Sequence, residues 1–245
     1  ELFATISKKL TDRTAKSLGL IVQYHAKEVP SNGAVLLFAD HYKDFFPDAI
    51  IRLGRFSGTD KSQIIDQQTL EAPISTALEP IIAFIRRHTS MAAEISETRR
   101  KDIPQYPPTV VREAVINALL HTDYSIKGAS IQVAIFEDRI EITNPGCLPF
   151  GLSFEAALSG ISQLRNRVIG RVFRELNLIE QWGSGLGRML NICGQQGTPL
   201  PKFEELGNFF RATLYHGVHT FVGLEEWQKQ IIAYLKEHKE ILPKK

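Results

Sequence analysis

The sequence predicts an α+β fold, in which a two-layer α/β sandwich follows a smaller N-terminal α/β subdomain. Apolar residues recur at helical spacing between Val110 and Leu119, and apolar and polar residues alternate on both sides of Glu137-Asp138. A polar, proline-containing stretch at residues 96–108 separates these elements from the first part of the chain. The 245 residues, 43% of them hydrophobic, are enough to bury one large core or two small ones.

Residues 1–100 are predicted to form the smaller subdomain. Short helices are predicted within residues 2–18, and strands over 34–38, 49–53 and 62–66. The spacing of Leu78, Ile81, Ile82 and Ile85 predicts a helix that has Pro80 near its start.

Residues 101–218 are predicted to form the larger domain. Its elements are a helix over 110–119, a β-hairpin over 131–142, helices over 154–159, 165–176 and 186–195, and a strand over 209–215. Residues 219–245 contain an amphipathic helix around Trp227 to Leu235, which we expect to begin a further domain.

Composition and charge restrict the classes of protein to which this chain can belong. The net charge of +2 is too small to indicate nucleic-acid binding by itself, and local runs of arginine are most simply solvated surface. Cys147 and Cys193 are far apart and show no zinc-ligand spacing, which favours a reducing, cytoplasmic setting. No run approaches the roughly 18 apolar residues of a membrane span. Because the chain does not begin with Met, we expect a piece of a longer protein.

Three polar residues in the strongest helix are spaced four apart, namely Glu113, Asn117 and His121. On a helix they share one face, stacked one turn apart. Asn offers a hard carbonyl oxygen to a divalent cation, and Glu can orient or deprotonate a water molecule. The alternative is an ordinary solvent-exposed helix face.

A glycine-rich turn precedes the helix at residues 186–195. Gly183, Gly185 and Gly187 alternate, with Ser184 between the first two. Such a turn exposes backbone N–H groups to a phosphate at a helix start. It is not a Walker A motif, since no Lys-Ser/Thr pair follows, and it does not follow a predicted strand as a Rossmann fingerprint would. A structural turn is the alternative.

The second strand of the hairpin ends in Asn144-Pro145-Gly146. This sequence can present Asn144 to a ligand at the end of the strand. The alternative is a plain type II turn, with Pro and Gly at its two central positions.

The order of these motifs resembles the GHKL (Bergerat) superfamily of ATP-binding domains. Further segments are similar to one branch, labelled as RecG-related ATP-dependent DNA helicases or transcriptional regulators. They are Tyr106-Pro107-Pro108, His121-Thr122-Asp123-Tyr124, Asp138 to Gly146, Arg165-Asn166 and Glu180 to Gly185. The resemblance implies a GHKL-type sandwich over residues 101–218. It also implies that an upstream AlbA-like domain is missing and that residues 219–245 begin a C-terminal winged helix.

The resemblance also implies a role for each motif. Asn117 would coordinate Mg²⁺ on the phosphates of ATP, Glu113 would act on the attacking water, and His121 would line the same site. Asn144 would face the adenine, and Gly146 would let the base approach. The glycine-rich turn, with Ser184, would hold the phosphates. Residues 150–182 would form a lid in which Arg165 and Asn166 reach a phosphate.

This sequence departs from the superfamily pattern at the adenine side, where Asn144 replaces an Asp and Leu148 replaces a second Gly. The resemblance favours a nucleotide-sensing module of a bacterial transcriptional regulator, forming a homodimer and contacting DNA through flanking domains. A helicase motor is not expected, because its P-loop lysine motif is missing. A slow ATPase and a degenerate fold that serves only as a dimerisation scaffold are the alternatives.

Overall fold

The computed structural model describes residues 10–89, 91–95, 100–179 and 185–216, with the backbone alone for 91–95 and 100–103. The helices are α1 (Asp12–Leu18), α2 (Asn32–Phe38), α3 (Ile74–His88), α4 (Pro108–His121), α5 (Phe154–Leu158), α6 (Arg167–Glu175) and α7 (Gly185–Gln196). The strands are β1 (Ile21–Tyr24), β2 (Lys27–Pro30), β3 (Ile51–Phe56), β4 (Ile64–Leu70), β5 (Met91–Ile95), β6 (Arg100–Pro104), β7 (Ile131–Ile135), β8 (Arg139–Pro145), β9 (Lys202–Leu206) and β10 (Phe209–Tyr215). A 3₁₀ turn spans Tyr42–Asp44.

The fold is mixed α+β, as the sequence predicts. Its six-stranded sheet has the order β4-β3-β7-β8-β10-β9. All neighbours are antiparallel except β3 and β7, which run parallel. The alternating apolar residues of the central strands, such as Val133 and Ile142, are buried and pack with α3 and α4 in one core.

The boundary expected at residue 100 does not divide two sheets. Strands β3 and β4 come from the predicted subdomain, yet β3 pairs with β7 from Ile51 opposite Ile131 to Arg55 opposite Ile135. Helix α3 packs on both α4 and β3. The described parts of residues 1–100 and 101–218 therefore share one sheet and one core. This pairing was not predicted, because parallel pairing between distant segments leaves no local pattern in the sequence.

Two local predictions were wrong. Residues 34–38 were expected as a strand but belong to α2, whose N-cap Ser31 accepts a hydrogen bond from the backbone N–H of Ala34. Helix α3 begins at Ile74, so Pro80 lies inside it and not near its start. The hairpins β1–β2 and β5–β6 and the strand β9 were not predicted.

The remaining helices and the hairpin agree with the sequence. Strand β7 pairs with β8 across the acidic tip, and β10 spans the residues expected. Among the described residues, no helix has the length and apolar character needed to cross a bilayer. The expected helix around Trp227 to Leu235 lies outside the described residues.

Candidate functional site

A cleft lies between α4, the end of β8, the segment 147–164 and the start of α7. The space between its walls is about 1210 Å³, part of which is open solvent. Apolar side chains such as Ile142, Leu152 and Met189 form much of its lining.

One wall of the cleft is the polar face of α4. Glu113, Asn117 and His121 are all half-buried and all line the cleft, whereas the intervening Ala114, Val115 and Leu119 are buried in the core. The four-residue spacing therefore places three polar groups on one face, which borders a cavity.

The first turn of α7 approaches this polar face closely. A Cβ atom built on Gly185 would lie 2.5 Å from Glu113 Oε1 and 3.1 Å from Asn117 Nδ2. Real Cβ atoms essentially never come that close to another heavy atom, so the backbone of Gly185 touches both side chains only because it is glycine. The structure thus brings together two motifs that are about seventy residues apart in the chain.

Gly187 is equally confined, but against a different partner. A Cβ atom on Gly187 would lie 2.8 Å from the carbonyl oxygen of Leu158, at the end of α5. Gly187 is therefore needed for packing between α5 and α7. Gly183 and Ser184 lie outside the described residues.

The turn after β8 forms the opposite end of the cleft. Asn144 is 3% exposed, and its Nδ2 donates a hydrogen bond to the carbonyl oxygen of Pro145 at 3.1 Å. Gly146 has a φ of +95°, and its N–H donates to the carbonyl oxygen of Asn208. The amide of Asn144 is thus held in place by its own turn, where it lines the cleft.

Arg165 ties this turn to the end of α4. Its Nη1 donates to Asp123 Oδ2 at 3.2 Å, and its Nη2 donates to the carbonyl oxygen of Cys147 at 2.7 Å. The guanidinium also lies over Gly146, since a Cβ there would be 3.3 Å from Arg165 Cζ. Arg165 therefore joins the two ends of the segment 147–164 that forms one wall of the cleft.

Asn166 holds the end of α4 from the same loop. Its Nδ2 donates to the carbonyl oxygens of Leu120 at 2.8 Å and Thr122 at 2.7 Å. These carbonyls lie at the C-terminus of α4, where intrahelical partners run out. In this structure the amide of Asn166 and two guanidinium nitrogens of Arg165 bind protein groups, and their expected contact with a phosphate stays a prediction.

Burial and neighbouring charges set the ionisation of two side chains at the cleft, His121 and Asp123. Burial, and to a smaller extent the positive charge of Arg165, lower the pKa of His121 to about 4. The pKa of Asp123 is also lowered, first by a hydrogen bond from the Ser125 hydroxyl and also by Arg165. His121 is therefore neutral at pH 7 and can accept or donate a hydrogen bond without carrying charge.

Several lining residues were not singled out from the sequence. Phe210 on β10 pairs opposite Asn144 and lines the same end of the cleft, and its ring stacks on Phe154 with centroids 6.0 Å apart. Arg174 and Arg188 line the cleft as well. Phe210 could have been found only from the β8–β10 register, which the sequence does not reveal, whereas Arg174 belongs to a local run of arginines that is visible in the sequence.

The donor set fits a magnesium ion carried by a phosphate ligand and not one held by protein alone. Among the described residues, no group of three or more His, Cys, Asp and Glu is placed to hold a metal. Asn117 offers one hard oxygen, and Mg²⁺ commonly takes one or two protein ligands, with phosphates and waters completing its shell. Asn117 would be that ligand.

Comparison with known proteins relates part of this chain to an ATPase-type domain. A family model described as "Putative ATP-dependent DNA helicase recG C-terminal" matches residues 128–214, a span that includes Asn144, Gly146 and Gly185 but not Glu113 or Asn117.

A solved structure, the DIP2311 protein from Corynebacterium diphtheriae, is similar to this chain with a TM-score of 0.70 and 23% identity. The alignment covers 88% of this chain and 44% of that one, so the chain spans less than half the length of this structural relative. At this level of sequence identity, the similarity shows that the two chains share a fold and nothing further. No curated protein matches the chain.

Proposed function

We propose that residues 101–218 carry the cleft of a GHKL-type domain, whose sheet also includes β3 and β4, and that this cleft binds ATP together with Mg²⁺. The observation that carries the proposal is the close approach of Gly185 to Glu113 and Asn117. It joins a polar helix face to a glycine-rich helix start, and the Asn144–Gly146 turn lies in the same cleft. The family-model match supports nucleotide binding over part of the domain.

The end of the cleft at Asn144 is proposed to hold the base. Ile142 and Phe210 supply apolar surface there, and Asn144 supplies a buried amide. A buried polar group discriminates strongly between ligands that do and do not satisfy it. The amide oxygen can accept a hydrogen bond from the amino group of adenine, although more weakly than a carboxylate would. Arg165 and Asn166 hold the walls of this end together.

The end of the cleft at Gly185 is proposed to hold the phosphates. Helix α7 has twelve residues and begins there, so its first N–H groups and its dipole favour an anion. Gly183, Ser184 and Gly187 belong to the same motif. Asn117 would hold the Mg²⁺, His121 would face the nucleotide as a neutral group, and Glu113 would orient the attacking water if hydrolysis occurs.

Within a longer protein, this domain would serve as the nucleotide-sensing module of a cytoplasmic, DNA-binding transcriptional regulator that acts as a homodimer. The fold similarity to part of a longer chain is consistent with such a module. Slow ATP hydrolysis is the second candidate, because Glu113 lines the cleft one helical turn from Asn117. A domain that serves only as a dimerisation scaffold would bind no nucleotide.

Isothermal titration with Mg-ATP, repeated with EDTA, tests nucleotide binding. We expect binding that weakens in EDTA and in Asn117→Ala, by about tenfold for a lost metal ligand. Asn191→Ala, an exposed asparagine on α7, is the matched control and should bind normally. Absence of binding by the unaltered chain would refute the proposal, and binding insensitive to Asn117→Ala would refute the metal assignment.

Phosphate release separates sensing from hydrolysis. If the chain is an ATPase, Glu113→Gln should lower turnover by about 10²–10⁴-fold, the usual contribution of a general base, with affinity nearly unchanged. Glu79→Gln on α3 removes an exposed carboxylate outside the cleft and serves as the control. Equal turnover in both variants would assign any hydrolysis to another group or to contamination.

A further inference from the structure

Helix α6 carries three arginines along its exposed face. Arg167, Arg171 and Arg174 are all exposed, while Ile169 and Phe173 on the other side are buried. Spacings of four and three residues keep the guanidinium groups within one stripe. At 1.5 Å per residue, this α6 arginine row is about 10 Å long.

The α6 arginine row includes contributions that lower the stability of helix α6 in the isolated domain. Like charges at spacings of three and four residues destabilise a helix, and both spacings occur here. Arg167 is also the first residue of α6, where the positive end of the helix dipole disfavours a cation. In the described part of the chain, no hydrogen bond or ion pair engages any of the three guanidinium groups. Arg174 lies in the last turn, where the dipole favours a cation, so the unfavourable contributions are the Arg–Arg spacings and the position of Arg167.

Packing fixes the row in position. Gly33 on α2 lies so close to Val168 that a Cβ atom there would be 2.6 Å from Val168 Cβ. Gly19, which ends α1, would place a Cβ 3.3 Å from Arg171 Nη1. Two glycines thus allow α1 and α2 to approach α6 closely. The arginines therefore project from a firmly held helix, which lowers the entropy lost when they bind a partner.

We propose that the α6 arginine row binds the phosphate backbone of double-stranded DNA. The duplex carries one negative charge per roughly 1.7 Å of its axis, so a row about 10 Å long meets several phosphates. Arginine is well suited to this contact because its planar group donates two parallel hydrogen bonds to a phosphate. The net charge of the chain is only +2, so the proposal rests on this local row and not on the charge of the whole chain. Arg174 also lines the cleft, so the DNA assays are made without nucleotide.

Fluorescence anisotropy with a labelled duplex of about 20 bp tests the proposal, using the 245-residue chain without nucleotide, between about 50 and about 200 mM salt. The variant Arg167→Gln/Arg171→Gln/Arg174→Gln should lower the slope of log affinity against log salt by about 2.7, since each phosphate contact contributes about 0.9. Each single variant should lower it by about 0.9. Arg86→Gln, an exposed arginine on α3, should leave the slope unchanged.

Urea unfolding of each variant establishes that the fold is intact, and the singles provide the result if the triple variant unfolds. The proposal is overturned if the unaltered chain does not bind the duplex at the lowest salt, or if the Arg167→Gln and Arg171→Gln slopes equal that of Arg86→Gln. It is also overturned if the row variants lose binding to anionic lipid vesicles while duplex binding is unchanged, because the row would then serve a membrane surface.

Discussion

Replacing Gly146 with alanine perturbs the turn at the proposed base end of the cleft in two ways. Gly146 has a φ of +95°, a conformation that residues with a side chain rarely adopt. A Cβ atom there would also lie 2.9 Å from Asp123 Cβ and 3.2 Å from the backbone nitrogen of Asp123. Asp123 cannot easily move away, because its backbone N–H donates a hydrogen bond to the carbonyl oxygen of Pro145 and its carboxylate accepts one from Arg165.

These two effects set the size of the expected loss. The left-handed backbone costs about 1–2 kcal/mol for a residue with a side chain. Overpacking against a fixed neighbour adds about 1–3 kcal/mol. We therefore expect Gly146→Ala to lower the free energy of unfolding by about 2–5 kcal/mol, a large part of the stability of an ordinary domain.

Two other glycines separate the contributions. Gly58 has a φ of +72° with nothing within 4 Å of a built Cβ, so Gly58→Ala should cost only the backbone term of about 1–2 kcal/mol. Gly194 lies inside α7 with nothing within 4 Å of a built Cβ, so Gly194→Ala should stabilise by up to about 1 kcal/mol. Urea unfolding measures all three. If Gly146→Ala costs no more than Gly58→Ala, the close approach of this turn to Asp123 is wrong.

Three further predictions concern the cleft. Gly185→Ala should change the unfolding free energy by less than about 1 kcal/mol, because its close neighbours are the movable ends of side chains. Calorimetry should nevertheless show weaker Mg-ATP binding, because the added methyl group crowds Asn117, the proposed magnesium ligand. The pKa of His121 is about 4 in the folded state against 6.5 unfolded, so the unfolded state takes up the proton first. Stability should therefore fall by up to about 3 kcal/mol as the pH drops from 6.5 to 4, and urea unfolding of His121→Asn should lack this component. Arg165→Gln should raise the pKa of His121 in an NMR titration but leave it below 6.5, since burial is the larger cause; an unchanged pKa would contradict the electrostatic contact.

Features of the fold that have a local cause could be predicted from the sequence. Helix α4 and the β7–β8 hairpin follow from unbroken periodicities of helix and strand. Helix α2 was mistaken for a strand, because a short apolar run has no decisive period, and Ser31 at its N-cap was the signal that could have corrected it. The pairing of β3 with β7 joins segments eighty residues apart, and no local pattern encodes it.

The same distinction applies to the candidate site. The common face of Glu113 and Asn117 follows from a spacing within one helix. The partners of Arg165 could not be predicted, because Asp123 and Cys147 reach it only through the tertiary fold. The observed contacts of Arg165 hold the turn after Gly146, and the phosphate contact that the resemblance implies for Arg165 stays a prediction.

The two ends of the cleft should respond differently to a nucleotide. The end at Asn144 is held by hydrogen bonds from Arg165, Asn144 and Gly146, and we expect little movement there. At the other end, a Cβ on Gly185 would lie 3.5 Å from Asn117 Oδ1, so the Cα of Gly185 is within about 5 Å of that oxygen. The path from Asn117 Oδ1 through a magnesium ion and a phosphate oxygen to a backbone N–H is about 7 Å at most, counting Mg–O distances of about 2.1 Å and an N–H···O distance of about 2.9 Å. If these atoms lie nearly in line, binding should move the start of α7 away from α4 by about 1–2 Å. A structure of the Mg-ATP complex in which the Gly185–Asn117 separation is unchanged would contradict the in-line arrangement, and with it this route by which phosphates would be sensed through α7.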